Sequence, residues 1–247
     1  MSGCGPYPDG NPEALKVAQE YVKRMGLPRI RETCPVKVLP EACAELAAEY
    51  AKLKNDPKDP KVKQAYNALV REVKAQYDFI RKAGFTVEFT KEDPYPDSKA
   101  MMKDLCENRR LRVFSGSASH PFMTDRENVL FRAVHDFFGH AAHGHNFNQH
   151  GEENAWVEHS KMFTEKARAA LTTETRGQNN WFNCAINPET GKPYNQKGNP
   201  QKTYAEQKAA VLPKRFWSRK DVAYKNACPV VPKAADTGRR TALANQE

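Results

Sequence analysis

Apolar residues recur every three to four positions along the first third of the chain, and this period predicts amphipathic helices. The first helix is expected to begin after Asn11, a favourable capping residue, and to end at Gly26. A second helix is predicted over residues 41–54 and a long third helix over residues 61–83. The segment between them contains two prolines, so it is predicted to be a turn because proline does not continue a helix.

Alternating β-branched and polar residues over residues 85–90 predict a strand, and residues 111–114 predict a second one. A short helix is expected between them, over residues 100–108. After a loop rich in Pro and Gly, another short helix is expected over residues 203–211. The pattern therefore predicts a mainly α protein with a small β element (α+β), built around a helical bundle.

Charge is distributed unevenly along the 247 residues, which carry 39 Lys and Arg against 30 Asp and Glu, a formal charge of +9. Residues 1–160 are balanced, so the excess lies in residues 161–247, and residues 213–247 alone contribute +5. We expect one helical domain over residues 1–212 and a basic, partly disordered tail over residues 213–247. The tail is either a solvated segment or an arm that contacts nucleic acid or a virion.

The composition also bears on the cellular compartment. No apolar run approaches the ~18–20 residues of a transmembrane span, and the polar N-terminus is unlike a secretory signal. Six cysteines are scattered without a Cys-x-x-Cys pair, so we expect mostly reduced thiols rather than a disulfide scaffold or a zinc ribbon. These features predict a cytoplasmic protein without membrane contact.

The seven histidines are all concentrated in one 40-residue window, between His120 and His159. Such clustering favours a metal site, a proton-transfer site or a His-rich loop that binds metal incidentally. The window contains a capping-box pattern at residues 124–127 and then an apolar run, which together predict a buried helix carrying His135 and His140. Residues five apart on an ideal helix are separated by about 140°, too wide for an easy chelate. Distortion at Gly139 would bring both rings to one ion, whereas Asp136 and His140 share a face without distortion.

A second helix is predicted after the loop, over residues 152–163. Glu152 and His159 lie on one stripe of it, roughly 10 Å apart along the axis, so both reach one site only if a partner helix crosses between them. The structural alternative for Glu152 and Glu153 is that acids in a first turn favour the helix dipole. We predict that at least one of them binds metal and that the spare one, taken as Glu153, is a general base.

A third polar block follows at residues 172–179. Glu174, Arg176 and Gln178 lie around Gly177, between bulky apolar residues. We predict that they, together with Asp136, orient ligands or substrate, with a plain surface loop as the alternative for the block.

These residues resemble an uncharacterised domain associated with bacteriophage genomes. The likeness spans residues 11–212. His143 and His145 depart from the pattern of that domain, which argues against their being essential ligands. The segments that carry the likeness are 55–63 (NDPKDPKVK), 131–140 (FRAVHDFFGH), 151–156 (GEENAW), His159 and 172–179 (TTETRGQN).

Two enzyme families share shorter fragments. The His-x4-His pair at His135 and His140 is similar to the iron motif of pterin-dependent aromatic amino-acid hydroxylases. The third ligand of that family is a later Glu, whereas here the candidate Glu comes much sooner after the second His. His135-Asp136 with Gly139-His140 is similar to the HD phosphohydrolases, whose upstream His and downstream Asp have no clear counterparts, although His120 is available.

The leading hypothesis is a metal-dependent enzyme of phage origin, holding one divalent ion with iron ahead of zinc. His135, His140 and Glu152 are the predicted ligands, with His159 as a fourth ligand or a proton carrier. An oxygenase or a hydrolase with an unknown small-molecule substrate would use the open positions. The alternative is a phage structural or genome-associated protein with a structural metal or a buried polar core. Either hypothesis places the protein in the cytoplasm of an infected cell or on a virion.

Overall fold

The structure, a computed structural model, describes residues 10–28, 36–195 and 202–217 and the backbone of residues 225–226. It is mainly helical with a small β element, which confirms the predicted fold class. The strands are β1 (Val36–Lys37), β2 (Thr86–Thr90), β3 (Arg110–Phe114) and β4 (Lys225–Asn226). The helices are α1 (Pro12–Arg24), α2 (Pro40–Lys52), α3 (Pro60–Lys82), α4 (Ser98–Asn108), α5 (Asp125–Val134), α6 (Gln149–His159), α7 (Glu165–Thr172) and α8 (Gln178–Cys184).

The helix starts follow from local capping. The side chain of Asn11 accepts hydrogen bonds from two backbone amides in the first turn of α1, and Asp59 does the same for α3. Thr124 and Glu127 form the predicted capping box at the start of α5. Each cap satisfies amides that have no partner inside the helix, which is why these starts could be predicted.

In the part of the chain that the structure describes, the β element consists of two small sheets. β2 and β3 are parallel, with Thr86 opposite Arg110, and α4 is the crossover between them. Asp104 on α4 holds this unit together, because its carboxylate accepts hydrogen bonds from both Arg110 and Arg112 of β3. β1 pairs antiparallel with β4.

Helix α3 is central to the core that positions the site. α5 and α7 both pack on it, and its apolar stripe is fully buried around Tyr66, Leu69 and Ile80. Two polar residues, Glu72 and Gln76, lie on the same buried stripe. Buried polar side chains require hydrogen-bond partners, so α3 brings polar groups as well as apolar surface to its neighbours.

The predicted helix over residues 203–211 is wrong, since the chain has no helical structure there. Ala209 and Ala210 are buried, whereas Tyr204 is exposed, and the segment is hydrogen-bonded to the turn between α2 and α3. The amide of Asp56 donates to the carbonyl of Ala209, and the amide of Ala209 donates to the side chain of Asn55. Hydrogen bonds to another segment thus replace those that a helix would have made within itself.

The predicted domain boundary at residue 213 falls inside packed chain. Phe216 is buried against Leu46 and Leu212, and its carbonyl accepts a hydrogen bond of 2.6 Å from Arg176. The backbone of residues 225–226 forms β4, and the rest of the predicted tail lies outside the described residues.

The prediction of mostly reduced thiols is wrong for the described cysteines. Cys43 and Cys184, 141 residues apart, form a disulfide, and Cys106 is disulfide-bonded as well. The pairing follows from the packing of α2 on α8, which spacing along the chain does not reveal. Cys4, Cys34 and Cys228 lie outside the described residues.

Among the helices that the structure describes, none has the length and apolar character needed to cross a membrane.

Candidate metal centre

The helix that begins at Asp125 widens where the histidines begin. His135–Ala141 is π-helical, with the amide of Ala142 donating to the carbonyl of Phe137, five residues earlier. A π-turn takes more residues per turn than an α-helix, so residues five apart come closer to one face. The sequence predicted distortion here, and the structure supplies it as a widened turn over the whole segment.

Gly139 has a packing role within this turn. A Cβ atom at this position would lie 3.2 Å from both the Cβ and the carbonyl oxygen of Ala155 on α6. Glycine therefore allows α6 to approach the widened turn closely. That approach delivers Glu152, which belongs to the first turn of α6.

Three of the predicted ligands come together in the described structure. One donor atom from each of His135, His140 and Glu152 lies within 4.8 Å of the other two, a grouping that can hold a metal ion. Glu152 Oε2 is 3.3 Å from His140 Nε2 and 3.6 Å from His135 Nε2. Two imidazoles and one carboxylate on one side of an ion would leave its other coordination positions open.

The group is buried but not sealed. His140 is 1% exposed, whereas the side chain of Glu152 is 29% exposed, so solvent reaches the site past the carboxylate. His135 Nε2 is buried without a hydrogen-bond partner among the described residues. A buried polar atom without a partner costs about 1–3 kcal/mol, and a metal ion would satisfy it.

Burial and neighbouring charges shift the pKa values of all three side chains. Burial opposes charge on His140, but the Glu152 carboxylate outweighs it and raises the pKa of His140. Burial would likewise raise the pKa of Glu152, yet the charge of His140 lowers it strongly. Burial lowers the pKa of His135, which favours the neutral imidazole. Metal binds neutral imidazole and ionised carboxylate, so an ion at this site would take the place of the proton that Glu152 favours on His140.

Asp136 lies next to this group in the widened turn. Burial raises its pKa to about 7, with the negative charge of Glu152 acting in the same direction and His140 against it. Its electrostatic coupling to both His140 and Glu152 is consistent with the predicted orienting role, which remains a prediction.

His159 lies behind His135 and is not a member of the three-residue group found in the described structure. Its Nδ1 is 3.2 Å from His135 Nδ1, and its Nε2 is 2.8 Å from Gln76 Oε1. Burial, followed by the charges of neighbouring histidines, lowers the pKa of His159 well below its ordinary value. Direct ligation by His159 stays a prediction of the sequence, whereas its contact with His135 is shown.

Glu153 points away from the two histidines, although it follows Glu152 directly. Its carboxylate is fully buried and pairs with Arg176, with 2.6 Å between Oε1 and Nε, and it accepts a second bond from Asn180. The Arg176 guanidinium also lies 4.5 Å above the ring of Trp156. The general-base role predicted for Glu153 and the substrate role predicted for Arg176 have no support in these contacts and stay predictions.

Glu174 and Gln178 belong to a separate buried cluster. Glu174 lies in a second π-helical segment, Thr173–Gly177, and accepts hydrogen bonds from Tyr66, His120 and Gln178. Tyr66 lies ten residues before Gln76 on α3, so about 15 Å of helix separates this cluster from Gln76, the residue that contacts His159 behind His135. The predicted roles of Glu174 and Gln178 at the metal remain without a structural basis.

His143 and His145 lie in the loop before α6 and His150 lies in α6, and all three take other partners. His150 Nδ1 accepts a hydrogen bond from the amide of Val38, and His143 Nε2 lies 3.8 Å from Glu158. His145 contributes through its backbone, because its carbonyl oxygen lies 3.2 Å from His140 Nδ1. A carbonyl only accepts, so His140 carries a hydrogen on Nδ1, and Nε2 is the ring nitrogen that faces Glu152.

Gln76 is the residue that sequence reasoning missed. It lies 59 positions before His135, so no local motif connects the two. The available signal was a polar residue on the apolar stripe of a long helix, where a buried amide needs a specific partner.

Fold and site together define a mainly helical protein with a buried His-His-Glu group that can hold a metal ion. Comparison of the chain with models of protein families, with curated proteins and with solved structures found no match in any of the three. The resemblances to a phage-associated domain and to two enzyme families therefore remain predictions from sequence.

Proposed function

We propose that the protein is a metal-dependent enzyme with one non-heme iron ion bound by His135, His140 and Glu152. The observation that carries the proposal is the unpartnered Nε2 of His135, buried 3.6 Å from the carboxylate of Glu152. Two histidines and one carboxylate with open positions are characteristic of non-heme iron sites. The phage origin suggested by the sequence is part of the same proposal.

An enzyme is favoured over a structural metal protein by access to the site. A structural site surrounds its ion with protein ligands, whereas a catalytic site leaves a position for substrate or water. Three candidate ligands and a Glu152 side chain that is 29% exposed match the second case. A zinc hydrolase would use the same three ligands, so the identity of the metal distinguishes the two kinds of enzyme.

Metal content tests the proposal. The purified protein, reconstituted separately with Fe(II) and Zn(II) without oxygen, is expected to retain about one equivalent of metal. Replacing His135 and His140 together by Ala should remove it, while His150→Ala, at an exposed histidine of α6, should retain it. Full retention by the double variant, or no stoichiometric binding by the wild type, would overturn the proposal.

The activities of the two separately reconstituted forms then test the choice of iron, because zinc outcompetes Fe(II) at most sites of nitrogen and oxygen ligands and competition would not identify the working metal. Oxygen consumption by the Fe(II) form supplied with a reductant is expected. Hydrolytic activity of the Zn(II) form, without oxygen consumption by the Fe(II) form, would replace the oxygenase by the hydrolase.

A further inference from the structure

Behind His135, two buried side chains, those of His159 and Gln76, continue one line of hydrogen bonds. His159 is 0% exposed and so is Gln76. The Nδ1 atoms of His135 and His159 are 3.2 Å apart, and His159 Nε2 is 2.8 Å from Gln76 Oε1. The amide nitrogen of Gln76 donates to the carbonyl of Met162 at 3.3 Å, which turns the amide oxygen towards His159.

The direction of each hydrogen bond follows from the amide. An amide oxygen only accepts, so His159 must carry a hydrogen on Nε2. A neutral imidazole has one hydrogen, so His159 Nδ1 is an acceptor and His135 Nδ1 is its donor. His135 then has a free lone pair on Nε2, the atom that lies on the Glu152 side without a hydrogen-bond partner among the described residues.

We propose that His159, oriented by Gln76, is a positioning residue that fixes His135 in the Nδ1–H form and so presents Nε2 to the metal. This inference rests on the metal site proposed above and gives His159 a role other than that of a fourth ligand. The two ligand histidines are thus supported independently, His140 by a backbone carbonyl and His135 by a second imidazole. Groups that orient ligand histidines in this way affect metal affinity by about 10–100-fold.

Two substitutions at residue 159 separate positioning from packing. Phe163 contacts the ring of His159 at 4.8 Å between centroids, so His159→Phe places an apolar ring in an aromatic environment but removes the acceptor. His159→Asn keeps an acceptor oxygen close to the former Nδ1. We expect His159→Phe to weaken Co(II) binding about 10–100-fold, and His159→Asn to restore most of it. Phe163→Leu is the matched control, because it alters packing on His159 without touching the hydrogen-bonded line.

The tautomer itself is measured by NMR of the histidine ring nitrogens in metal-free protein. In the wild type, His135 is expected to carry its hydrogen on Nδ1, and in His159→Phe this preference should be lost. An Nε2–H form of His135 in the wild type, or equal Co(II) affinity of wild type and His159→Phe, would overturn the inference. Absence of Co(II) binding by the wild type would instead overturn the metal site. In that case the tautomer of His135 in the wild type would still show whether His159 fixes its ring in the Nδ1–H form.

Discussion

Glu152 and Glu153 are neighbours in the sequence, yet the structure gives them opposite environments. Glu152 faces two histidines and is partly exposed, whereas Glu153 is fully buried against Arg176. We therefore expect Glu152→Gln to remove metal without unfolding the protein, and Glu153→Gln to destabilise the protein without a direct effect on metal. The two variants differ by one position and carry the same chemical change, so each is the control for the other.

The magnitudes follow from burial. Removing one partner of a buried ion pair costs about 3–5 kcal/mol, because the remaining charge loses its compensation. Arg176 keeps its bond to the Phe216 carbonyl and its contact with Trp156, which points to the lower end, about 3 kcal/mol. For a chain of this size, 1 kcal/mol corresponds to about 2–4 °C, so Glu153→Gln should lower the thermal midpoint by roughly 6–12 °C. Glu152→Gln should lower the midpoint of metal-free protein less than Glu153→Gln does, since the side chain of Glu152 is 29% exposed whereas that of Glu153 is fully buried.

Thermal unfolding of chelator-treated protein measures the first effect, and competition with a chromogenic chelator for Co(II) measures the second. Glu152→Gln should weaken Co(II) binding by at least the ~10–100-fold that loss of a supporting group costs. Adding Arg176→Met to Glu153→Gln should recover part of the lost stability, because it removes the uncompensated buried charge. Loss of Co(II) binding in Glu153→Gln with unchanged metal-free stability would refute the assignment of the two glutamates.

Two further predictions concern stability. Burial would raise the pKa of Asp104, but hydrogen bonds led by those of Arg110 outweigh burial and lower the pKa to about 2 from an ordinary 3.8. A carboxylate with a depressed pKa stabilises the fold above its unfolded pKa, so about 1–2 kcal/mol should be lost as pH falls from about 4 to about 2. Acid titration of wild type and Asp104→Asn should show this loss in the wild type alone, and parallel curves would contradict the assignment. Deleting residues 213–247 should lower the thermal midpoint by several degrees, because Phe216 no longer covers Leu212. A deletion variant that melts like Phe216→Ala in the full chain would assign the effect to the Phe216 side chain. An unchanged midpoint would contradict the packing role of Phe216.

Local features of this protein were determined by the sequence itself. Capping residues such as Asn11 and Thr124 bond amides within three positions of themselves, and apolar periodicity marks the buried face of each helix. The concentration of histidines in one short window likewise points to His135 and His140. These properties depend on neighbours along the chain, so they could be predicted.

Other features were decided only by the tertiary structure. Whether Glu152 or Glu153 lies beside the two histidines depends on which side of α6 meets the widened turn, and Gly139 allows the close approach of α6 to that turn. The hydrogen-bond partner of His159 is Gln76, which lies 83 positions earlier in the chain. The disulfide between Cys43 and Cys184 joins residues that are 141 positions apart. The segment 203–211, predicted as a helix, is not helical and instead makes hydrogen bonds to residues 55–56. Contacts between distant segments depend on the packing of whole helices, and the local pattern of residues along one segment does not encode that packing.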